Sequence, residues 1–274
     1  MRILTLMENT AGTAGCIAKH GLSLYAETNR HHLLFDTGQD EDTWKNAGML
    51  GVDLSLIDTV VLSHGHYDHG GGLSSFAKIN PSAKIYCHTG VFASFYNESS
   101  MHYIGLSDEV KDLPHIHMIE EEGISRLDEE LTLFAGIHGR KLYPQGNRHL
   151  SVHTGTQVIP DSFSHEQCLV LESEGKRILF SGCAHNGIVN ILERFHTLYT
   201  GYPDLVISGF HMKKSTSYTQ DDISVMRSTA EYLKDLPCTY ASGHCTGETA
   251  FAVMKEILGD RLIALHTGCE VSCQ

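Results

Sequence analysis

The chain has 274 residues, 41% of them hydrophobic, and a formal net charge of −13. A chain of that length buries a full core and suits one large α/β domain over residues 1–274. Its charge repels polyanions, which argues against nucleic acid as a main partner. No apolar run has the length of a membrane span, and MRILTLMENTAGTAG lacks the basic and long apolar segments of a secretion signal, so the expectation is a cytoplasmic protein. Eight cysteines are scattered mostly singly, which predicts free thiols. The one close pair, Cys269 with Cys273, matches no strong metal or redox spacing and reads as a plain tail.

In chain order, short apolar runs predict strands within RILTLM (2–7), LSLYAET (22–28), HHLLFDTG (31–38), DTVVLSHG (58–65) and AKIYCH (83–88). From about residue 92 to 166 the periodicity weakens and Gly, Pro and polar residues accumulate, as in HGRKLYPQGNRHLSVHTGTQVIPDSFSHE. So long an irregular insertion reads as a lid over an active site. Beyond it, strands at CLVLES, KRILFSG, DLVISGF, CTYASG and RLIALHTG alternate with helices. GIVNILERFHTLY has apolar residues at helical spacing, and DDISVMRSTAEYLKDL adds an acidic start. In TGETAFAVMKEILGD, Thr246 offers an N-cap and Gly259 a stop. Strands first and strand–helix alternation later predict a layered α/β sandwich.

The stretch VVLSHGHYDHGGGL concentrates chemistry. His64, His66 and Asp68 have even spacing, which in an extended segment turns them to one side, whereas His69 needs the chain to bend. Gly65 leaves room for the bend, and Gly70, Gly71 and Gly72 permit close backbone approach or positive φ. The cluster divides into His64 with His66 and Asp68 with His69. A local pattern then recurs: ILFSGCAH, VISGFH and TYASGH each run from a strand through Ser-Gly to His185, His211 and His244. Strand ends at one sheet rim lie close in space, and α/β proteins place sites there. Imidazole and carboxylate suit zinc, iron or manganese, and each ion needs about three protein ligands with one position left for water. Two pairs in the cluster, completed by His185 and His244, add up to a dinuclear centre of two divalent ions, zinc first, with manganese or iron as alternatives.

HGHYDH matches the HxHxDH signature of the metallo-β-lactamase superfamily, and LLFDTG, ending in Asp36, resembles its upstream motif. The resemblance implies an αββα sandwich with a dinuclear metal site at one edge. A narrower likeness runs through HGLSLYAET, LLFDTGQ, LSHGHYDHGGGL, FSGCAHNGIVNIL, SGFHM and GHCTGETA. In that order they resemble the branch of metal-dependent hydrolases related to dihydropterin ribofuranosylaminobenzene phosphate synthases. Many superfamily members carry a bridging aspartate where this chain has Cys183. That residue is either a thiolate ligand, which favours zinc, or a small buried residue beside a ligating His185, the first choice here. The family's third histidine motif has no clear counterpart. Asp161, His165 and Glu166 are the nearest candidates, unassigned by spacing.

The metal ligands expected are therefore His64, His66, Asp68, His69, His185 and His244, with Asp68 also as catalytic base and His211 as the group that steadies or protonates a leaving group. Asp36 reads as a support for a neighbouring histidine or loop, since ligating imidazoles need a partner for their other nitrogen. His31, His32, His115, His117, His149 and His153 lie in polar stretches and read as solvated. Lys213 and Lys214 near the rim either meet a phosphate or lie in a solvated loop, the plainer choice. The expected activity is metal-assisted hydrolysis of a small-molecule, phosphate-containing ester, with no membrane partner and the oligomeric state left open. The alternatives are a synthase-type condensation on a phosphoribosyl substrate, or a metal-dependent protein that binds or senses a metabolite without turnover.

Overall fold

The computed structural model describes residues 1–120 and 123–272; Cys273 lies outside them. The first sheet opens with β1 (Arg2–Met7), β2 (Ser23–Glu27) and β3 (His32–Phe35) as an antiparallel meander. After α1 (Asp42–Met49), strand β4 (Thr59–Val61) joins β3 in parallel. The helices α2 (Tyr67–Gly70) and α3 (Leu73–Ile79) then lead to β5 (Lys84–His88), parallel to β4.

The 92–166 stretch is more ordered than its composition predicts, which corrects the expectation of an irregular insertion. It holds β6 (Ser94–Asn97), β7 (His102–Tyr103), β8 (Ile116–Ile119), β9 (Ile124–Arg126), β10 (Leu131–Phe134), β11 (Leu150–Thr154) and β12 (Gln157–Pro160). Strand β8 closes the first sheet, β9 and β10 enter the second, and β12-β11-β6-β7 form a small sheet of their own. Strand β12 is exposed along its whole length, so it has no buried face to reveal it in sequence.

The second sheet continues with β13 (Cys168–Ser173), β14 (Lys176–Phe180), β15 (Leu205–Ile207), β16 (Thr239–Ser242) and β17 (Leu262–Ala264). Between these run α4 (Ile188–Tyr199), α5 (Gln220–Lys234) and α6 (Glu248–Leu258). Helix α5 starts at a capping box in which Thr219 and Asp222 satisfy each other's backbone N–H groups. Helix α6 is not capped by Thr246: Gly247 takes that position, and the Thr246 hydroxyl is buried, accepting from Phe210 N–H at 2.9 Å.

Side-chain alternation along the strands builds the layers. Leu33, Phe35, Val61, Ile178, Phe180 and Ile207 point between the two sheets, where Phe35 and Phe180 meet with ring centroids 5.4 Å apart. Their neighbours Leu34 and Val60 face Trp44 and Phe76, while Leu179 and Val206 face Ile191, Phe195 and Met226. Helices thus cover both outer faces of the paired sheets, an αββα sandwich.

Candidate metal centre

Parallel register aligns the strand ends at one rim. Phe35 pairs with Val61, and Phe180 with Ile207, which in turn pairs with Ala241. The loops leaving β3, β4, β14, β15 and β16 therefore start side by side, and they carry Asp36, His64, His185, His211 and His244. Four of the residues in these loops, Asp36, Ala184, His211 and His244, have φ between 48° and 60°. Non-glycine residues rarely adopt that region, at a cost of order 1–3 kcal/mol each, and such strain gathers where a site fixes side-chain direction.

His66 is still extended, but α2 begins at Tyr67, so Asp68 and His69 lie on a helical turn instead of continuing a strand. Gly65 serves close approach: a Cβ there would sit 2.4 Å from the Val91 carbonyl oxygen. The result brings six imidazoles together. Ring centroids are 4.6 Å apart for His64 and His66, 4.2 Å for His64 and His69, and 4.8 Å from His185 to each of His64 and His66. His69 and His244 lie at 5.0 Å, and His185 and His211 at 4.1 Å.

Four of the buried imidazoles, His64, His69, His185 and His244, are held by an oxygen on Nδ1, for His64 that of the Ser63 hydroxyl at 2.7 Å. Asp36 Oδ2 accepts from His69 Nδ1 at 2.6 Å and from the Ser63 hydroxyl at 2.7 Å, while its Oδ1 accepts from Ser63 N–H at 2.7 Å. His185 Nδ1 meets Asn147 Oδ1 at 3.0 Å, and His244 Nδ1 meets Asn9 Oδ1 at 3.1 Å. The opposite nitrogens converge. His69 Nε2 lies 3.2 Å from His244 Nε2 and 3.1 Å from Cys183 Sγ, and His244 Nε2 is 3.2 Å from Asp68 Oδ2. The Nε2 atoms of His64, His66 and His185 are buried and have no hydrogen-bond partner among the described residues. Buried polar nitrogens without partners cost free energy, a cost that a bound cation would remove.

Electrostatics suit that use. Burial first, then neighbouring imidazoles, holds His64 and His185 well below the ordinary histidine value and His66 down to about 3. Neutral imidazole is the form that ligates metal. Burial opposes charge on His69 too, but Asp36 and Asp68 outweigh it and push His69 up to about 9. Asp68 stays well below the usual carboxylate range despite burial, because His69 and His244 lie beside it.

The unassigned candidates separate by geometry. Glu166 clamps the turn carrying His185: it accepts from His185 N–H at 2.6 Å and from Asn186 N–H and Nδ2, each at 2.9 Å. His165 has both nitrogens engaged, Nδ1 by Gly65 N–H at 3.1 Å and Nε2 by Asp161 at 3.2 Å. Asp161, His165 and His66 nevertheless offer ligand atoms within 4.8 Å of one another. His211 is half-buried on the wall of a cavity of about 320 Å³, together with His20, Asp68, Cys183, His185 and His244. Lys213 and Lys214 both line a second cavity of about 530 Å³ that shares His244 with the first, and Lys214 is also tied to Asp222 at 2.6 Å. His115, His117 and His149 are exposed, but His31, His32 and His153 are partly buried. These last three correct the solvated expectation, being drawn in by Asp58, Tyr25 and Glu98 respectively.

Sequence reasoning missed Glu8, Asn9 and His20. Glu8 Oε1 accepts from His244 N–H at 2.6 Å, and His20 stacks on His244 and meets Asp68 Oδ2 at 3.2 Å. Glu8 and Asn9 directly follow β1, so the strand-end criterion applied to the first strand would have found them. His20 sits in a loop with no such signal.

The model of the metallo-beta-lactamase superfamily matches residues 18–241. A 7,8-dihydropterin-6-methyl-4-(beta-D-ribofuranosyl)-aminobenzene-5'-phosphate synthase from Methanocaldococcus jannaschii is 28% identical over 290 aligned positions, covering 98% of this chain and 95% of that one. A solved structure described as a metal-dependent hydrolase of the beta-lactamase superfamily superposes with a TM-score of 0.84 at 27% identity, covering 99% of this chain and 98% of the other. Zn(2+)-bound PqqB from Methylobacterium extorquens shares the fold at a TM-score of 0.58 and 13% identity, covering 99% and 100%. With its HxHxDH cluster at the rim of an αββα sandwich, this chain belongs to the metallo-β-lactamase superfamily.

Proposed function

We propose that the protein is a dinuclear metal-dependent hydrolase of a small-molecule ester that carries a phosphate. The observation that carries this is the set of three buried, unpartnered Nε2 atoms on His64, His66 and His185, next to a second group formed by Asp68, His69 and His244. His64, His66 and His185 would hold one divalent cation, and Asp68, His69 and His244 the other, with zinc the first choice for this donor set. Such ions supply a water of lowered pKa near neutral pH and a polarised ester oxygen. The chain's own groups do the rest. Asp68 Oδ2, steadied by His20 and His244 at 3.2 Å each, orients the attacking water and takes its proton. His211, on the cavity wall, steadies or protonates the leaving group. Lys213, beside the neighbouring cavity, offers a positive charge for the phosphate. The partner is thus a small molecule, and neither nucleic acid nor a membrane is needed. Among the described residues no helix is long and apolar enough to cross a membrane.

A second reading is favoured by the synthase relative, which spans nearly all of both chains: condensation on a phosphoribosyl substrate. Metal analysis of protein purified without added metal comes first, followed by a panel of phosphodiesters, lactones and thioesters with parallel assay of pyrophosphate. Turnover in the panel without pyrophosphate supports hydrolysis, and pyrophosphate release supports condensation. Full metal loading with no turnover in either assay defeats both and leaves a metabolite-binding protein.

A further inference from the structure

Cys183 is the atom on which the site turns: its Sγ falls within one group with His64 and His185, another with His69 and His244, and a third with His211 and Cys245. We propose that this third group, Cys183, Cys245 and His211, is a sulfur-rich position that holds a thiophilic divalent cation of the zinc class. It touches the metal-centre reading only through Cys183, whose Sγ lies 3.1 Å from His69 Nε2, and it reassigns His211 from the leaving group to the cation.

Three loops in series build the group, following the parallel strands β14, β15 and β16. One ligand atom from each residue lies within 4.8 Å of the other two. Both sulfurs are buried, 3% and 6% exposed, yet both border the 320 Å³ cavity through which an ion would enter. They are also set apart from the chain's other buried thiols. Cys87, Cys168 and Cys238 pack inside the apolar core clusters, where a thiol acts as a small hydrophobe, whereas Cys183 and Cys245 belong to none of those clusters.

The surroundings are shaped for the Cys245 sulfur. His211 N–H donates to Cys245 Sγ at 3.3 Å, which fixes where that sulfur sits. A Cβ on Gly209 would lie 2.4 Å from the same sulfur, so the absence of a side chain there makes its room. His211 carries two further costs, a left-handed backbone at φ 48° and a buried Nδ1 with no partner. Ligation by the imidazole gives both a purpose. Two thiolates and one imidazole suit a soft, four-coordinate ion with one position left toward the cavity.

Cobalt substitution tests this, because thiolate ligands give a near-ultraviolet sulfur-to-cobalt charge-transfer band that imidazole and carboxylate ligands lack. Cobalt bound per chain and band intensity are measured for the wild-type protein, Cys245→Ser and His64→Ala, with near-ultraviolet circular dichroism as the folding control. Cys245→Ser should lose one cobalt per chain and part of the band, while His64→Ala keeps the Cys245-dependent part. Alkylation needs no variant: Cys245 should react with iodoacetamide in metal-free protein and be protected after cobalt loading. An unchanged cobalt count and band in Cys245→Ser, or equal alkylation with and without cobalt, overturns the proposal. An unchanged count in His64→Ala alone instead removes the histidine centre and leaves the sulfur position standing.

Discussion

Asp36→Asn probes how the site is aimed without changing its shape. The carboxylate is fully buried and accepts three hydrogen bonds, one of them from His69 Nδ1 at 2.6 Å. An asparagine keeps one oxygen for Ser63 N–H and turns its amide N–H groups toward Ser63 Oγ and His69 Nδ1. The hydroxyl rotates to accept, but the imidazole accepts only by giving up its Nδ1 proton, which leaves its remaining proton on Nε2, the nitrogen that faces Cys183 and His244. Removing such a support costs about 10–100-fold in metal affinity, equivalent to about 1.4–2.7 kcal/mol. Losing the buried negative partner of a histidine pushed up to about 9 costs the metal-free fold about 3–5 kcal/mol more. Competition for zinc against a chelator reads the first quantity, and urea denaturation of metal-free protein the second. Wild-type zinc affinity together with an unshifted urea midpoint would refute the assignment of Asp36 as the group that sets the His69 tautomer.

Filling the two histidine sites at about pH 7.5 should release close to one proton, from His69, because His64, His66 and His185 are already neutral, and filling the sulfur position should add at least one more from the Cys183 thiol, which burial pushes up; calorimetry in two buffers of different ionisation enthalpy measures it, and a heat independent of buffer contradicts it. The same groups shape the pH dependence of metal-free stability. The raised value of His69 contributes fully below its ordinary 6.5 and is lost as pH rises through about 9, while the lowered value of His66 contributes above 6.5 and is lost as pH falls toward about 3. Urea midpoints of metal-free protein should therefore peak near neutrality, and a midpoint still rising between about pH 7 and pH 9 would count against the His69 assignment. Glu166→Gln sets an amide against backbone donors at His185 or Asn186, and should lower stability by about 1–3 kcal/mol with an unchanged urea m-value. Gly65→Ala places a Cβ 2.4 Å from Val91 O and should cost about 1–3 kcal/mol, read as a lower melting temperature.

Taken alone, the residue order was enough for the strands outside residues 92–166, the helices after residue 187 and the gathering of ligand-type side chains in the HGHYDH cluster. Burial on both faces leaves continuous apolar runs such as HLLF and KRILF, and a cluster of imidazoles with a carboxylate has few other uses. The recurrence of Ser-Gly with a histidine within three residues at strand ends was also legible, because parallel strands in register must release their loops at the same rim. Tertiary structure decided what sequence spacing does not encode. Which nitrogen of each histidine faces inward depends on Asp36, Asn147 and Asn9, which stand 33, 38 and 235 positions from the rings they hold. The ordered strands within residues 92–166 were hidden because β12 and much of β8 lie exposed and carry no buried stripe. Cys245 read in sequence only as one of several scattered free thiols, and the packing of β14, β15 and β16 is what sets it beside Cys183.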